Sequence, residues 1–149
     1  MTGTILIIDD EPDMLALLQE VFEQRGHRVI TAQTGLAGLN QARRRLPDAI
    51  LLDVVLSDMD GYSVCEILRS QPSTAKIPVI LMTALAGEIP RLHGFESGAV
   101  DYVAKPVSPR EVTQRVEAVL ETEPPTILGF GDVPAQPWKP DLHHGSALE

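Results

Sequence analysis

The chain has 149 residues, enough for one domain with a real core. Its 44% hydrophobic and 22% charged content is that of an ordinary folded protein, and its net charge of -9 argues against a nucleic-acid-binding face. A single cysteine, Cys65, excludes an internal disulfide framework, and no apolar run approaches the roughly 20 residues of a membrane helix, so a soluble, cytoplasmic protein without a membrane partner is expected.

Thr4 to Ile8 is a short aliphatic, β-branched run and reads as a buried strand. Asp9, Asp10 and Glu11 follow, then Pro12 at the start of a helix carrying Met14, Leu17, Leu18 and Val21 at helical spacing, joined by Leu15 and Phe22. Gly26 is its stop. Arg28 to Ala32 is a second strand. Thr34 caps a helix to about Arg45, with Leu36, Leu39 and Leu46 as its apolar side. Gly35 and Gly38 weaken that helix by up to roughly 1 kcal/mol each. Arg43-Arg44-Arg45 complements its dipole.

Ala49-Ile50-Leu51-Leu52-Asp53 runs four apolar residues into one carboxylate, the pattern of a strand buried on both faces. A loop through Gly61 leads to a helix from Tyr62 to Ser70, with Val64, Ile67 and Leu68 inward and Cys65 as packing. Val79 to Met82 is a fourth strand, ending on Thr83. A poor helix, Glu88 to Ser97, is interrupted by Pro90 and ends near Gly98. Val100 to Ala104 is the last strand, before Lys105-Pro106. Ser108 and Glu111 form a capping box around Pro109, and Val112, Val116, Val119 and Leu120 repeat at helical spacing to Glu121. Strand then helix, five times, predicts a doubly wound parallel sheet with helices on both faces.

In such a sheet all carboxyl ends share one edge, where ligands bind. That edge collects Asp9, Asp10, Asp53, Thr83 and Lys105. Converging carboxylates need a cation, and oxygen ligands of this kind suit Mg2+. Lysine and threonine are groups that stabilise phosphoryl oxygens, and an aspartate can be the nucleophile of covalent phosphoryl transfer. Alone, Asp9 and Asp10 read as helix caps, Thr83 as a strand end and Lys105 as a surface lysine. It is their joint occurrence that points to chemistry.

Asp9-Asp10-Glu11, Leu51-Leu52-Asp53, Asp58-Met59-Asp60-Gly61, Leu81-Met82-Thr83-Ala84 and the segment from Gly98 to Pro106 together resemble the receiver domain of two-component response regulators. The similarity covers about residues 4 to 121. It implies a three-layer, flavodoxin-like fold with five helices and strand order 2-1-3-4-5. It implies Asp53 as acceptor of a phosphoryl group from a histidine kinase or histidine phosphotransfer protein. It implies Mg2+ held by Asp10, Asp53 and the backbone carbonyl of Val55, with Asp9 orienting a metal-bound water. Lys105 and Thr83 would contact the phosphoryl group, the Lys105-Pro106 peptide would be cis, and Thr83 with Tyr102 would form the switch. Plain packing is the other reading of Tyr102. The resemblance makes the chain a phospho-acceptor that promotes its own phosphorylation and dephosphorylation, not an enzyme acting on other substrates. Its output would be a downstream protein contact.

The chain departs from the family pattern at Ser57, where proline is common, and at Pro90, in a helix of the usual output face. Val55 and Leu85, two residues after Asp53 and Thr83, cannot hydrogen-bond a hydrolytic water, so a long-lived phosphoryl-aspartate is expected. A phosphohydrolase on a similar fold would need an aspartate at Val55. A phosphorylation-independent scaffold would not need the full acidic pair, Thr83 and Lys105. Residues 1–121 form the expected receiver domain. Residues 122–149, rich in proline, are expected to form a tail without an effector domain, as in single-domain regulators. The alternative is an amino-terminal piece of a larger regulator. Ile127, Leu128, Phe130 and Trp138 would anchor the tail across a subunit boundary in a homodimer; the other reading is that it folds back on its own domain. Gly129-Phe130-Gly131 is not a nucleotide fingerprint. His27, His93, His143 and His144 lack the spacing of a metal site and are expected at the surface.

Overall fold

The computed structural model describes residues 2–84 and 88–121. The tail, with its expected anchors and dimer contact, lies outside the described residues, as do Leu85, His143 and His144.

Ten elements alternate along the chain: β1 (Thr4–Ile8), α1 (Pro12–Gln24), β2 (Arg28–Ala32), α2 (Gly35–Arg45), β3 (Ala49–Asp53), α3 (Gly61–Ser70), β4 (Val79–Thr83), α4 (Glu88–Glu96), β5 (Asp101–Ala104) and α5 (Pro109–Glu121). The strands form one parallel sheet in the order β2-β1-β3-β4-β5. Every residue of β3 and β4 is buried, as expected of central strands covered on both faces. Alternate residues serve different cores. Leu6, Ile8, Ile50, Leu52 and Leu81 pack with Leu39, Val64, Cys65 and Leu68 of α2 and α3. Ile5, Ile7, Leu51, Ile80 and Met82 pack with Leu15, Leu18, Phe22, Val112 and Val116 of α1 and α5. The expected three-layer, flavodoxin-like arrangement is the one observed.

Local signals account for most helix ends. The Thr34 hydroxyl accepts from the Ala37 amide at 3.0 Å and the Ser108 hydroxyl from the Glu111 amide at 3.2 Å. Gly26 and Gly98 take φ of 94° and 111°, backbone conformations that disfavour other residues. The Cys65 thiol is buried, and burial pushes its pKa up to about 11, which suits packing.

Three expectations about faces require correction. In α1 the buried stripe is Leu15, Leu18 and Phe22, while Leu17 is 44% exposed; spacing i, i+3, i+7 won over the neighbouring stripe. In α2 the buried face is Gly35, Gly38, Leu39 and Ala42, and both Leu36 and Leu46 are exposed. Gly38 lies so close to the Ile8 side chain that a Cβ there would collide with it, so the glycine that weakens the helix is what lets it approach β1. Leu46 leaves the helix in the left-handed region (φ 46°) and turns away from the core. In α3 Cys65 joins Val64 and Leu68 in the core, whereas Ile67 is half-buried.

His27 is the clearest departure, being buried where a surface position was expected. Its Nδ1 accepts from the Gly3 amide at 3.1 Å and its Nε2 lies 2.8 Å from Glu117 of α5. The ring meets Phe22 edge-on, and Arg25 makes two 2.6 Å bonds to the same carboxylate. Nothing near His27 in sequence announces a partner ninety residues away. His93 is exposed, as expected, and stacks on Tyr62 with ring centroids 4.0 Å apart.

Candidate functional site

The parallel register brings four strand ends to one edge. β1 delivers Asp9 and Asp10, β3 ends on Asp53, β4 on Thr83, and Lys105 follows β5. Backbone bonds continue the sheet to the site itself: the Asp9 amide donates to Ala32 O (3.1 Å), Val54 to Met82 O (2.9 Å) and Lys105 to Thr83 O (2.8 Å). The positions of these side chains are thus set by the core beneath them.

Asp9, Asp10 and Asp53 each present a carboxylate oxygen, all within 4.8 Å of one another. Asp9 and Thr83 are fully buried and Asp53 nearly so. At an effective dielectric of roughly 20, each such like-charge pair costs about 3 kcal/mol, so the cluster needs positive charge. Lys105 supplies part of it. Its ammonium donates to Asp53 Oδ2 at 2.8 Å and to Asp9 Oδ2 at 3.0 Å, with Glu11 at 3.9 Å. Asp9 Oδ1 also accepts from the Glu11 amide at 2.9 Å, and Asp53 Oδ1 from the Val55 amide at 3.0 Å. Burial pushes the Asp53 pKa up, Lys105 and Val55 pull it back, and repulsion from Asp9 adds to the rise, which prevails. For Lys105 burial lowers the pKa but the bonds to Asp53 and Asp9 outweigh it, and the ammonium is held charged.

One lysine against three carboxylates leaves negative charge in an all-oxygen setting. That donor set fits a hard divalent cation such as Mg2+.

The loop between β3 and α3 closes over the site. Gly61 N donates to Val54 O at 2.7 Å, and Val55 pairs with Asp60 in an isolated antiparallel bridge. A Cβ at Gly61 would stand 2.5 Å from Asp53 O, so the loop can close only around glycine. Asp60 caps α3 by accepting from the Ser63 amide at 2.8 Å. At the loop's tip Asp58 accepts from the Gly35 and Leu36 amides, at 2.8 and 3.0 Å, at the start of α2. Those bonds pull its carboxyl pKa below the usual range. Met59 packs against Gly35, where a Cβ would stand 2.5 Å from its Cγ.

On the β4–β5 side Tyr102 is half-buried and packs against the Leu81 core, so part of its role is packing. Gly94 of α4 comes close to it: a Cβ there would lie 2.9 Å from Leu81 and 3.6 Å from the Tyr102 ring. Tyr62 completes this corner, its phenol pKa raised by burial and by the nearby Tyr102. The Lys105-Pro106 peptide is cis.

The structure therefore brings together Asp9, Asp10, Asp53 and Lys105, with Thr83 and Val55 alongside. Val55 is 56% exposed. The role of Asp58 is not visible in the sequence, because its partners lie 23 and 22 residues away on another element. That of Asp60 is, since aspartate directly before a helical glycine is a capping signal.

The family described as the response regulator receiver domain matches residues 5–117. The chain is similar to the alkaline phosphatase synthesis transcriptional regulatory protein PhoP of Bacillus subtilis, with 44% identity over 80% of this chain and 49% of that protein. It is similar to the response regulator PleD of Caulobacter vibrioides, with 41% identity over 80% of this chain and 26% of that protein. It thus spans about half, or less, of these relatives' length. Among solved structures, a Francisella response regulator receiver domain superposes with a TM-score of 0.76 at 29% identity, over 80% of this chain and 97% of that one. No described helix is long and apolar enough to cross a membrane. By matched family, relatives and fold, the chain belongs to the response regulator receiver domains of two-component systems.

Proposed function

We propose that Asp53 accepts a phosphoryl group from a phosphohistidine of a kinase or phosphotransfer protein, and that this switches a protein-contact surface. The observation that carries this reading is the Asp53 carboxylate, desolvated at the sheet edge and held by Lys105 between two further aspartates. A carboxylate stripped of water is a better nucleophile than a solvated one. In the transfer an Asp53 oxygen forms a bond to phosphorus. The phosphorus–nitrogen bond of the donor breaks, and the imidazole leaves with the electron pair and takes up a proton. Lys105, already 2.8 Å from Asp53, donates to a phosphoryl oxygen, and the Thr83 hydroxyl does the same. Asp10, Asp53 and the Val55 carbonyl would hold Mg2+, with Asp9 orienting one of its waters. When bound, that ion offsets the negative charge gathered on the carboxylates and the transferred group.

Tyr102, half-buried beside Leu81 and Gly94, is the side chain that would respond when Thr83 turns toward the phosphate. The exposed Val55 side chain offers no hydrogen bond to an attacking water, which supports slow hydrolysis. Incubation with a small phosphodonor and Mg2+, read by intact mass, tests the assignment. One added phosphoryl group in the wild type and none in Asp53→Asn is the expected result. No addition to the wild type favours a scaffold that does not use phosphorylation. A lifetime of seconds without a phosphatase would overturn the slow-hydrolysis reading.

A further inference from the structure

We propose that Asp58 is a positioning residue for divalent-cation binding: by clasping the amino terminus of α2 it fixes the β3–α3 loop that carries Val55. The inference rests on the cation site described above. Contacts at the base, the tip and the flank of the loop support it.

The base of the loop is pinned by the Gly61–Val54 bond of 2.7 Å and the Val55–Asp60 bridge. Its tip is pinned by the two Asp58 bonds to Gly35 and Leu36, of 2.8 and 3.0 Å. Beside the tip, Met59 fills the space that Gly35 leaves open. Ser57, just before the tip, is not a residue that fixes its own φ, as proline would be. The stiffness has to come from tertiary contacts.

Asp58 suits the task chemically. Two backbone N–H groups at a helix start are orphan donors with a favourable dipole for an anion. A two-oxygen carboxylate can satisfy both at once. Asparagine has one acceptor oxygen, and alanine has none. Groups that orient a ligand without touching the metal commonly govern about 10-fold to 100-fold in affinity.

The test is calorimetric titration of Mg2+ into the full chain for the wild type, Asp58→Ala and Asp58→Asn, together with thermal unfolding of each without metal. The expected dissociation constant rises about 10-fold in Asp58→Ala. In Asp58→Asn, where one bond survives, it rises about threefold. Asp58 is also a charge near the site, so the titrations are repeated in about 0.5 M salt, where distant charges are screened. Ratios that persist there support positioning; ratios that collapse to one overturn it. A purely structural role would lower the metal-free melting temperature and leave the Mg2+ constant unchanged, which also overturns the proposal. Should Asp58→Ala fail to fold, wild-type affinity in Asp58→Asn overturns it just as well. If the wild type binds no Mg2+, it is the cation-site reading that falls.

Discussion

The Lys105 ammonium lies 2.8 Å from Asp53 Oδ2 and shares its remaining charge with Asp9 at 3.0 Å. A single cation thus bridges the ends of β1 and β3 from the end of β5. The arrangement is poised, not relaxed. Burial raises the Asp53 pKa in spite of the lysine, so the ionised carboxylate is kept at a cost.

Replacing that carboxylate should stabilise the metal-free protein. A raised folded-state pKa means that ionisation of Asp53 opposes folding. The cost is absent in acid, below the unfolded carboxylate pKa, and complete once pH exceeds the folded one. Asp53→Asn is expected to gain about 1 kcal/mol at neutral pH, or roughly 3–5 °C in Tm. The gain should disappear near pH 3. Melting curves in chelator across pH would show it, and an unchanged or lowered neutral Tm would refute it.

Lys105→Met should do the reverse. It leaves two buried carboxylates facing each other without their cation, a loss of about 2–3 kcal/mol at neutral pH. Acidification relieves that repulsion, so the deficit should narrow as the carboxylates protonate. Chemical denaturation at pH 7 and pH 4 would decide it, and equal deficits would count against the account.

Glu117 ties α5 to the turn after α1. Its bonds to Arg25, together with that to His27, hold its pKa down to about 2 from an ordinary 4.5. A depressed carboxylate pKa contributes stability that is present above about pH 4.5 and lost as pH falls toward 2. Since the Gly3 amide donates to Nδ1, the His27 ring meets Glu117 through a protonated Nε2. Glu117→Gln should lose on the order of 1 kcal/mol at pH 7, discounted for solvent around Arg25, and clearly less at pH 2, where the carboxylate is partly protonated. Denaturant titrations at the two pH values would measure the difference.

Gly38→Ala sets helix propensity against packing. Alanine gains about 1 kcal/mol in a helix interior. Its Cβ would collide with Ile8, which is fully buried and has nowhere to go. Overpacking costs typically 1–3 kcal/mol, so a net loss of about 1 kcal/mol is expected, read as a lower denaturation midpoint. Stabilisation would mean that Ile8 can repack.

Leu46→Gly should stabilise. Leucine at φ 46° bears the left-handed penalty of roughly 1–2 kcal/mol, and at 53% exposure its side chain contributes little packing. Part of the gain returns as unfolded-chain entropy, leaving about 0.5 kcal/mol, or roughly 2 °C in Tm. A lower Tm would show that Leu46 packs more than its exposure suggests.

The order of strands and helices, the parallel sheet and the acidic edge were all legible in the sequence. Short apolar runs such as Ile50-Leu51-Leu52 bury themselves wherever the chain goes, and parallel pairing then sends every run's carboxyl end to one side. Asp9, Asp10, Asp53, Thr83 and Lys105 could be gathered by that rule without coordinates. What tertiary structure alone decided are the contacts between elements. His27 became buried because Glu117 of α5 reached it, Leu36 was left outside because Gly38 lets α2 press its other face onto β1, and Asp58 found its partners in the amides that open α2. A residue's polarity and period say which side of its own element it prefers. They do not say which distant donor or acceptor will complete it, because that depends on where another element's end comes to rest.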